Sequence, residues 1–229
     1  MNPNQQSKTA ILCFANSAQE EVKHKYLPKG RDLFNALTNN TLKTVEKTGL
    51  AYFHFTEKQQ LGATFGERFS NAIQAIFEKG FQRVITVGND TPLLKSQHIV
   101  EAVRQLESKN VVLGPSLDGG FYLLGIHKTH FNREQFIDLP WQTSSIKKTL
   151  LTLVRSYKDT QVALLANLGD IDAKEDVQRL FNFSSVLPRE IVQLFIQILR
   201  EFVKITTRSF LIVTDNKHFI YFNKGSPSC

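Results

Sequence analysis

The chain has 229 residues, of which 41% are hydrophobic, and its formal net charge at pH 7 is +7. This length suits one large domain or one domain with an appendage, and the apolar content is enough for a buried core. The two cysteines, Cys13 in an apolar segment and Cys229 at the end of the chain, are too few for a disulfide framework. A reducing cytoplasm is therefore the expected location.

The composition also argues against two classes of partner. No apolar run approaches the roughly 18 residues of a membrane span, and the first residues, MNPNQQSKTA, lack the apolar stretch of a secretory signal. We therefore expect no integral membrane segment. The basic residues are spread along the chain, so a nucleic-acid partner is not expected. Their local concentration at residues 23–31 is interpreted either as a surface excess of lysine or as a loop that grips a phosphate.

Strand and helix patterns alternate through most of the chain. Short apolar runs predict strands at residues 9–14, 50–56, 83–88, 111–113, 121–126 and 162–166. Apolar residues at helical spacing predict intervening helices that begin near residues 31, 65, 96, 145 and 174. Ser96 and either Ser144 or Ser145 are the predicted N-caps. The alternation predicts an α/β domain with a mostly parallel sheet flanked by helices.

The pattern changes after Phe183. Pro188 is expected to open an amphipathic helix, and the apolar runs 209–213 and 219–222, which flank Asp215-Asn216-Lys217, predict a β-hairpin. We therefore divide the chain into a domain at 1–183 and a helix-hairpin extension at 184–229. Because the extension is apolar, it should pack on the main domain or on a second subunit, which would give a homodimer.

Two acidic positions lie next to predicted strand ends. Asp90 follows the run VITVGN, and ligands bind at strand ends in open α/β sheets. It is either a metal ligand at that edge or an Asx-turn residue. Asp118-Gly119-Gly120 favours a hairpin turn, although its glycines would also let a ligand approach the backbone closely.

A second acidic pair, Asp170 and Asp172, precedes a predicted helix. Acidic residues there complement the helix dipole. Alternatively, one of them lies near Asp90 and shares a metal, since Mg²⁺ takes one or two carboxylates together with phosphate oxygens. Gly62 and Gly66 match neither a Walker loop nor the Rossmann fingerprint. The histidine and cysteine spacing supports no zinc site, and no Gly-x-Ser-x-Gly motif of a serine hydrolase occurs.

Together these segments resemble a bacterial family of glycosyltransferase-A-like proteins. The matching segments are GERFSNAI, VITVGNDTPLL, VVLGPSLDGGFYLLGI, LPWQTSSIKKTL and DIDAKEDV. The resemblance covers about residues 9–180, and GPSLDGGFYLLG is its most specific part. Members are described as arsenosugar-biosynthesis-type glycosyltransferases. Related members of the nucleotide-diphospho-sugar transferase superfamily include phospholactate and molybdenum-cofactor guanylyltransferases. The resemblance implies a glycosyltransferase-A-like, Rossmann-like fold.

The resemblance also implies roles for individual residues. Asp90 and Asp172, the latter in preference to Asp170, would hold Mg²⁺ or Mn²⁺, and Asp90 and Asp118 would be catalytic. Asp118, Gly119 and Gly120 would line the acceptor or sugar side. The residues expected near the nucleotide are Lys23, Lys25, Gly62, Gly66 and Arg68.

The first loop departs from the family pattern K-x-P-x-x-G-x-x-K-T-R-L-x-P. Residues 15–28 read ANSAQEEVKHKYLP, so the glycine is absent and Lys25 stands at the arginine position. Lysine is a point charge and cannot reproduce the bidentate fork of arginine. The preferred hypothesis is a metal-dependent glycosyltransferase that uses a nucleotide-diphospho-sugar and a small-molecule acceptor. The alternatives are a nucleotidyltransferase that releases pyrophosphate and a catalytically silent binding protein, which the altered loop favours.

Overall fold

A computed structural model describes residues 8–217, with side chains described for residues 8–203. The strands form one six-stranded sheet in the order β2-β1-β3-β5-β4-β6. Their bounds are β1 Thr9–Phe14, β2 Ala51–Phe55, β3 Arg83–Val87, β4 Val111–Pro115, β5 Phe121–His127 and β6 Val162–Leu164. Only β5 runs antiparallel to its neighbours within this sheet, so the sheet is mixed and mostly parallel.

The connections between strands are mostly helical, as the alternating pattern predicts. The helices are α1 Ala18–Glu21, α2 Gly30–Glu46, α3 Phe65–Glu78, α4 Ser96–Gln105, α5 Arg133–Ile137, α6 Ile146–Ser156, α7 Lys174–Phe181 and α8 Arg189–Lys217. Short 3₁₀ turns lie at Lys128–His130 and Ser184–Val186. Within the described residues, no helix is both long enough and apolar enough to cross a membrane.

Successive strand residues face two different cores because the side-chain period of a strand is two. Ala10 and Leu12 of β1 contact a core that also contains residues of α3 and α6. Ile11 and Cys13 face the opposite side, where α2 and α4 cover the sheet. Helices therefore cover both faces, and the predicted α/β class is confirmed.

The structure corrects the predicted N-cap at Ser96 and confirms the predicted N-cap position at Ser145. Ser96 is the first residue of α4, and Lys95, with an extended backbone, is its N-cap. The N–H of Lys95 donates to Nδ1 of His98 at 3.1 Å, which moves the helix boundary back by one residue. Ser145 is the N-cap residue of α6, but its side chain makes no capping hydrogen bond.

The predicted hairpin is wrong where the structure describes it. α8 continues through residues 209–217, where a strand and a turn were expected, and residues 219–222 lie outside the described part of the chain. The β-branched residues of this segment favour a strand, but that propensity is weak and readily overridden. No glycine or proline interrupts the sequence between Pro188 and Gly225, so the helix meets no breaker.

The first part of α8 contributes to a third core. Ile191, Phe195 and Ile198 are fully or almost fully buried against α2 and α7. The first turns of α8 therefore pack on α2 and α7. The boundary at residue 183 and a homodimer through the extension remain predictions.

Candidate functional site

A cleft of about 770 Å³ lies at one edge of the sheet. Its floor comes from the carboxyl ends of the parallel strands β1 and β3, and from the turn that joins β4 to β5. The segments before α6 and α7 complete its lining. The strand-end location predicted for Asp90 and Asp118 therefore corresponds to an open cleft.

Lys25 lies between two of the predicted site carboxylates. Its Nζ is 2.8 Å from Oδ2 of Asp90 and 2.8 Å from Oδ1 of Asp172, and it donates to the carbonyl oxygen of Ile171 at 3.0 Å. An ammonium group has three N–H donors, so these three contacts use all of them. While they persist, Lys25 has no donor left for the phosphate contact implied by the family resemblance.

The protonation of Lys25 follows from its surroundings. Its side chain is 16% exposed, and burial alone would lower the pKa of the ammonium group. The negative charges of Asp90, Asp172 and Glu21 outweigh that effect and raise the pKa above its ordinary value. Lys25 is therefore a permanent cation at neutral pH.

Asp118, Asp170 and Asp172 form a second group of carboxylates, with one oxygen from each lying within 4.8 Å of the others. The loop before α7 is held by Asp176, which accepts hydrogen bonds from the N–H groups of Asp172 and Ala173. An all-oxygen set of this kind suits Mg²⁺ or Mn²⁺. The geometry therefore includes Asp170, which the sequence ranked below Asp172, and leaves Asp90 paired with Lys25.

The surroundings of Asp170 disfavour its ionised form. Burial, followed by the negative charges of Asp90 and Asp118, raises the pKa of Asp170 to about 7. Burial and like charges both disfavour the ionised form, so only part of the raised pKa reflects the negative charge of the neighbouring carboxylates. A bound cation would stabilise that negative charge.

The Asp118-Gly119-Gly120 segment is both a hairpin turn and part of the cleft. It joins β4 to β5, and Ser116 donates its N–H to the carbonyl oxygen of Gly120 at 3.1 Å. The carboxylate of Asp118 accepts hydrogen bonds from the hydroxyl of Ser116 and from the N–H of Gly120. These bonds fix the carboxylate at the edge of the cleft.

The structure separates the other predicted nucleotide-binding residues. Arg68 lines the cleft and donates one N–H to the carbonyl oxygen of Ala63 at 3.2 Å. Lys23 instead borders a second groove of about 460 Å³, where it pairs with Glu20 at 2.5 Å. Gly62 packs against Glu67 and Arg68, and Gly66 packs against Trp141 and Ile137, and neither glycine is among the residues that line the cleft.

Several aromatic side chains of the cleft were not predicted as site residues. They come from β1, α3, β5 and the loop before α6, and they are Phe14, Phe65, Phe69, Phe121 and Trp141. We call these five residues the aromatic wall. Trp141 lies in the segment LPWQTSSIKKTL, which resembles the family, but the resemblance gives this tryptophan no role.

Gly119 provides a test of how the turn is held. Its φ is +97°, and a Cβ there would meet the carbonyl oxygen of Ser144. Gly119→Ala should therefore lower the free energy of unfolding by about 2–4 kcal/mol, from left-handed strain together with overpacking. Urea unfolding would measure the change.

Gly80 is a matched control for that substitution. Its φ is +96°, but apart from its chain neighbours a Cβ there would meet no heavy atom of the described residues within 4 Å. Gly80→Ala should cost only the backbone term, about 1–2 kcal/mol. Equal losses in the two variants would show that the Ser144 contact does not constrain the turn.

Comparison with known proteins gives results consistent with this geometry. A 2-phospho-L-lactate guanylyltransferase from Methanocaldococcus vulcanius is 27% identical over 154 residues, which is 66% of this chain and 67% of that protein. It is a transferase by name.

Solved structures show the same fold. A crystal structure from Desulfovibrio desulfuricans G20, provisionally named as a nucleotide-diphospho-sugar transferase, has a TM-score of 0.68 and 21% identity, covering 86% of this chain and 98% of that one. A 4-diphosphocytidyl-2C-methyl-D-erythritol synthase from Anaerococcus prevotii has a TM-score of 0.52 and 11% identity, covering 78% of this chain and all of that one. The predicted glycosyltransferase-A-like fold is confirmed.

A family model described as "Uncharacterized protein conserved in bacteria (DUF2064)" matches residues 11–143. This match covers more than half of the 229-residue chain and includes the strand-end segment of Asp90 and the Asp118 turn. The chain therefore belongs to the DUF2064 family.

Proposed function

We propose that this protein is a metal-dependent glycosyltransferase that uses a nucleotide-diphospho-sugar donor and a small-molecule acceptor. The observation that supports it best is the cluster of three carboxylates, from Asp118, Asp170 and Asp172, at the strand-end cleft. The shared fold with nucleotide-diphospho-sugar transferases is consistent with this proposal.

The charge of the cleft explains why a divalent cation is part of the proposal. The cleft lining includes two cations, Lys25 and Arg68. The carboxylates that line it are more numerous: Glu21, Asp90, Asp118, Asp170 and Asp172. A diphosphate would be repelled by this lining. Mg²⁺ or Mn²⁺ held by the three clustered aspartates would neutralise the charge that develops on a nucleoside diphosphate as it leaves.

The chain's own residues would then divide the remaining tasks. Lys25 holds Asp90 and Asp172 in fixed positions through its three contacts. Within residues 8–203, Arg68 donates one hydrogen bond, and a guanidinium group has further N–H donors for a phosphate. Asp118, held by Ser116 and Gly120, would orient the acceptor hydroxyl.

Nucleotidyl transfer is the second candidate, and the guanylyltransferase relative favours it. The same cleft would then hold a nucleoside triphosphate, and attack at the α-phosphate would release pyrophosphate. Product analysis separates the two reactions, because glycosyl transfer releases a nucleoside diphosphate.

The first test is thermal stabilisation by nucleotides. UDP-, GDP- and dTDP-glucose and GTP would each be added with Mg²⁺, with Mn²⁺ or with a chelator. A ligand at 100 times its Kd stabilises by about 2.7 kcal/mol, which corresponds to roughly 5–10 °C in a chain of this size. Asp172→Asn should remove the metal-dependent shift.

Asp138 supplies the control carboxylate, because it is exposed and lies outside the cleft lining. Asp138→Asn should leave the nucleotide-dependent shift unchanged. Shifts are compared within each variant, since Asp172→Asn also weakens the pair with Lys25. If no nucleotide stabilises the protein with either metal, both transferase candidates are contradicted and the silent binding protein is favoured.

A further inference from the structure

The aromatic wall forms a part of the cleft that the proposed chemistry does not use. The indole of Trp141 is its centre, with ring-centroid distances of 5.4 Å to Phe65, 4.9 Å to Phe69 and 6.0 Å to Phe121. Phe69 is buried behind the others, whereas Phe65, Phe121 and Trp141 are each partly exposed. Apolar ring surface is therefore available inside a cleft that also carries clustered carboxylates.

The orientation of Trp141 is fixed by its neighbours. Its Nε1 donates to the carbonyl oxygen of Phe136 at 2.6 Å, so the only polar atom of the indole already has a partner. Gly66 lies against the ring, and a Cβ at that position would meet the indole and the carbonyl oxygen of Ile137. A ligand in the cleft therefore meets the apolar surface of the indole and not its N–H.

The loop that carries Trp141 is joined to the Asp118 turn. Gly119 lies against the carbonyl oxygen of Ser144, and its own carbonyl oxygen accepts a hydrogen bond from Lys147 at 3.3 Å. Gln142, which follows Trp141 in this loop, has a φ of +59° and lines the cleft. Left-handed backbone at a residue other than glycine persists only where the surrounding structure holds it. The aromatic wall is thus continuous with the side of the cleft assigned to the acceptor.

We propose that the aromatic wall is the acceptor subsite and that it binds a molecule with a flat, uncharged, apolar face. Such a face is presented by an aromatic ring or by the C–H side of a pyranose, and both stack on an aromatic side chain. An anionic acceptor is disfavoured because the exposed carboxylate of Asp118 lies in the same cleft. The term acceptor rests on the proposed transferase function, whereas binding of a flat ligand does not.

Trp141 itself supplies the measurement, because it is the only tryptophan of the chain. Its fluorescence would be followed during titration with phenyl β-D-glucopyranoside, methyl β-D-glucopyranoside and benzyl alcohol, each with and without UDP and Mn²⁺. Phenyl glucoside should give a saturable change, and glycerol none. The two simpler probes then identify the group that binds. If methyl glucoside responds and benzyl alcohol does not, the pyranose face is recognised. If benzyl alcohol responds and methyl glucoside does not, the aromatic ring is recognised.

Charge and ring removal are tested separately. Benzoate should bind at least several-fold more weakly than benzyl alcohol. By isothermal titration calorimetry, Trp141→Ala should raise the Kd for the best probe about tenfold, and Trp141→Phe about threefold or less. Phe183 is an aromatic residue that is 48% exposed and lies outside the cleft lining, so Phe183→Ala should leave the Kd unchanged.

The outcomes distinguish this inference from the proposed function. If no probe changes the Trp141 fluorescence while nucleotides with metal still stabilise the protein, the acceptor subsite is refuted and the transferase proposal stands. If the probes bind but no nucleotide does, the aromatic wall stands as a binding site and the transferase proposal fails. Unchanged Kd in Trp141→Ala would also refute the subsite.

Discussion

Replacing Lys25 by alanine should lower the free energy of unfolding by about 2–4 kcal/mol at pH 7 in the presence of a chelator, because it leaves two neighbouring carboxylates without their counter-ion. The ammonium group contacts Asp90 and Asp172, whose side chains are 30% and 51% exposed. The half-exposed Asp172 is partly screened by water, which places the expected loss below that of a fully buried pair. Urea unfolding of the two proteins measures the difference.

Lys23 provides the control two residues away. It is 60% exposed and pairs with Glu20 on the surface, so Lys23→Ala should change the stability by no more than about 0.5 kcal/mol. Added Mn²⁺ should stabilise Lys25→Ala more than the wild type, since a divalent cation would replace the missing charge. Equal stability losses in the two lysine variants would refute the counter-ion role of Lys25.

The stability that Lys25 contributes should not decrease between pH 7 and pH 9. Its folded-state pKa is raised, because the attraction of the carboxylates outweighs burial. A group with a raised pKa contributes its full stability below its unfolded pKa, about 10.4 for lysine, and loses it as the pH rises through the folded value. A difference that disappears already at pH 9 would contradict this ion pair.

Replacing Asp170 by asparagine should stabilise the protein, whereas replacing Lys25 by alanine destabilises it. In a chelator at pH 8, Asp170→Asn should raise the free energy of unfolding by about 1–3 kcal/mol. Burial and the charges of Asp90 and Asp118 raise the pKa of Asp170 to about 7, so its ionised form is disfavoured in the folded state. The stability associated with this group is fully present below about pH 4 and is lost as the pH rises through 7.

The gain should therefore depend on pH and on metal. It should be near zero well below pH 4, where Asp170 is protonated in both the folded and unfolded states, and reach its maximum above pH 7. Asp138→Asn, which changes an exposed carboxylate outside the cleft lining, should show no such trend. With Mn²⁺ the order should reverse, because the wild type keeps the full carboxylate set. An asparagine variant that is less stable at pH 8 without metal would contradict the excess negative charge of this cluster.

The parts of the fold that repeat a local pattern were predictable from the sequence. The six strands and the helices α2, α3, α4, α6 and α7 follow from alternating apolar periodicities, whereas the short helices α1 and α5 were not predicted. The Asp118 turn follows from Asp-Gly between two apolar runs. The helix at residues 209–217 was not predictable in this way, because the β-branched residues of this segment favour a strand while the absence of a breaker permits a helix. Local propensity alone does not decide between these outcomes.

The contacts of the site depend on convergence, which spacing does not reveal. Asp90 and Asp172 were expected near each other, but nothing in the sequence indicated that Lys25 would lie between them. The choice between Asp170 and Asp172 depended on the path of one loop. Phe65 and Phe69 lie in a helix whose spacing predicts an apolar face toward the core, and the N-terminal end of that helix also borders the cleft.

The three contacts of Lys25 also determine when the site can form during synthesis. The hydrogen bond from Lys25 to Asp90 spans 65 residues, whereas that to Ile171 spans 146. At translation rates of about 5–20 residues per second, residue 171 follows residue 25 by about 7 to 30 seconds. In a nascent chain, Lys25 and Asp90 can therefore pair with each other well before the second pair of aspartates exists. The charged residues of the cleft lining balance up to Asp90, and the surplus negative charge arrives later, with Asp118 and then with Asp170 and Asp172.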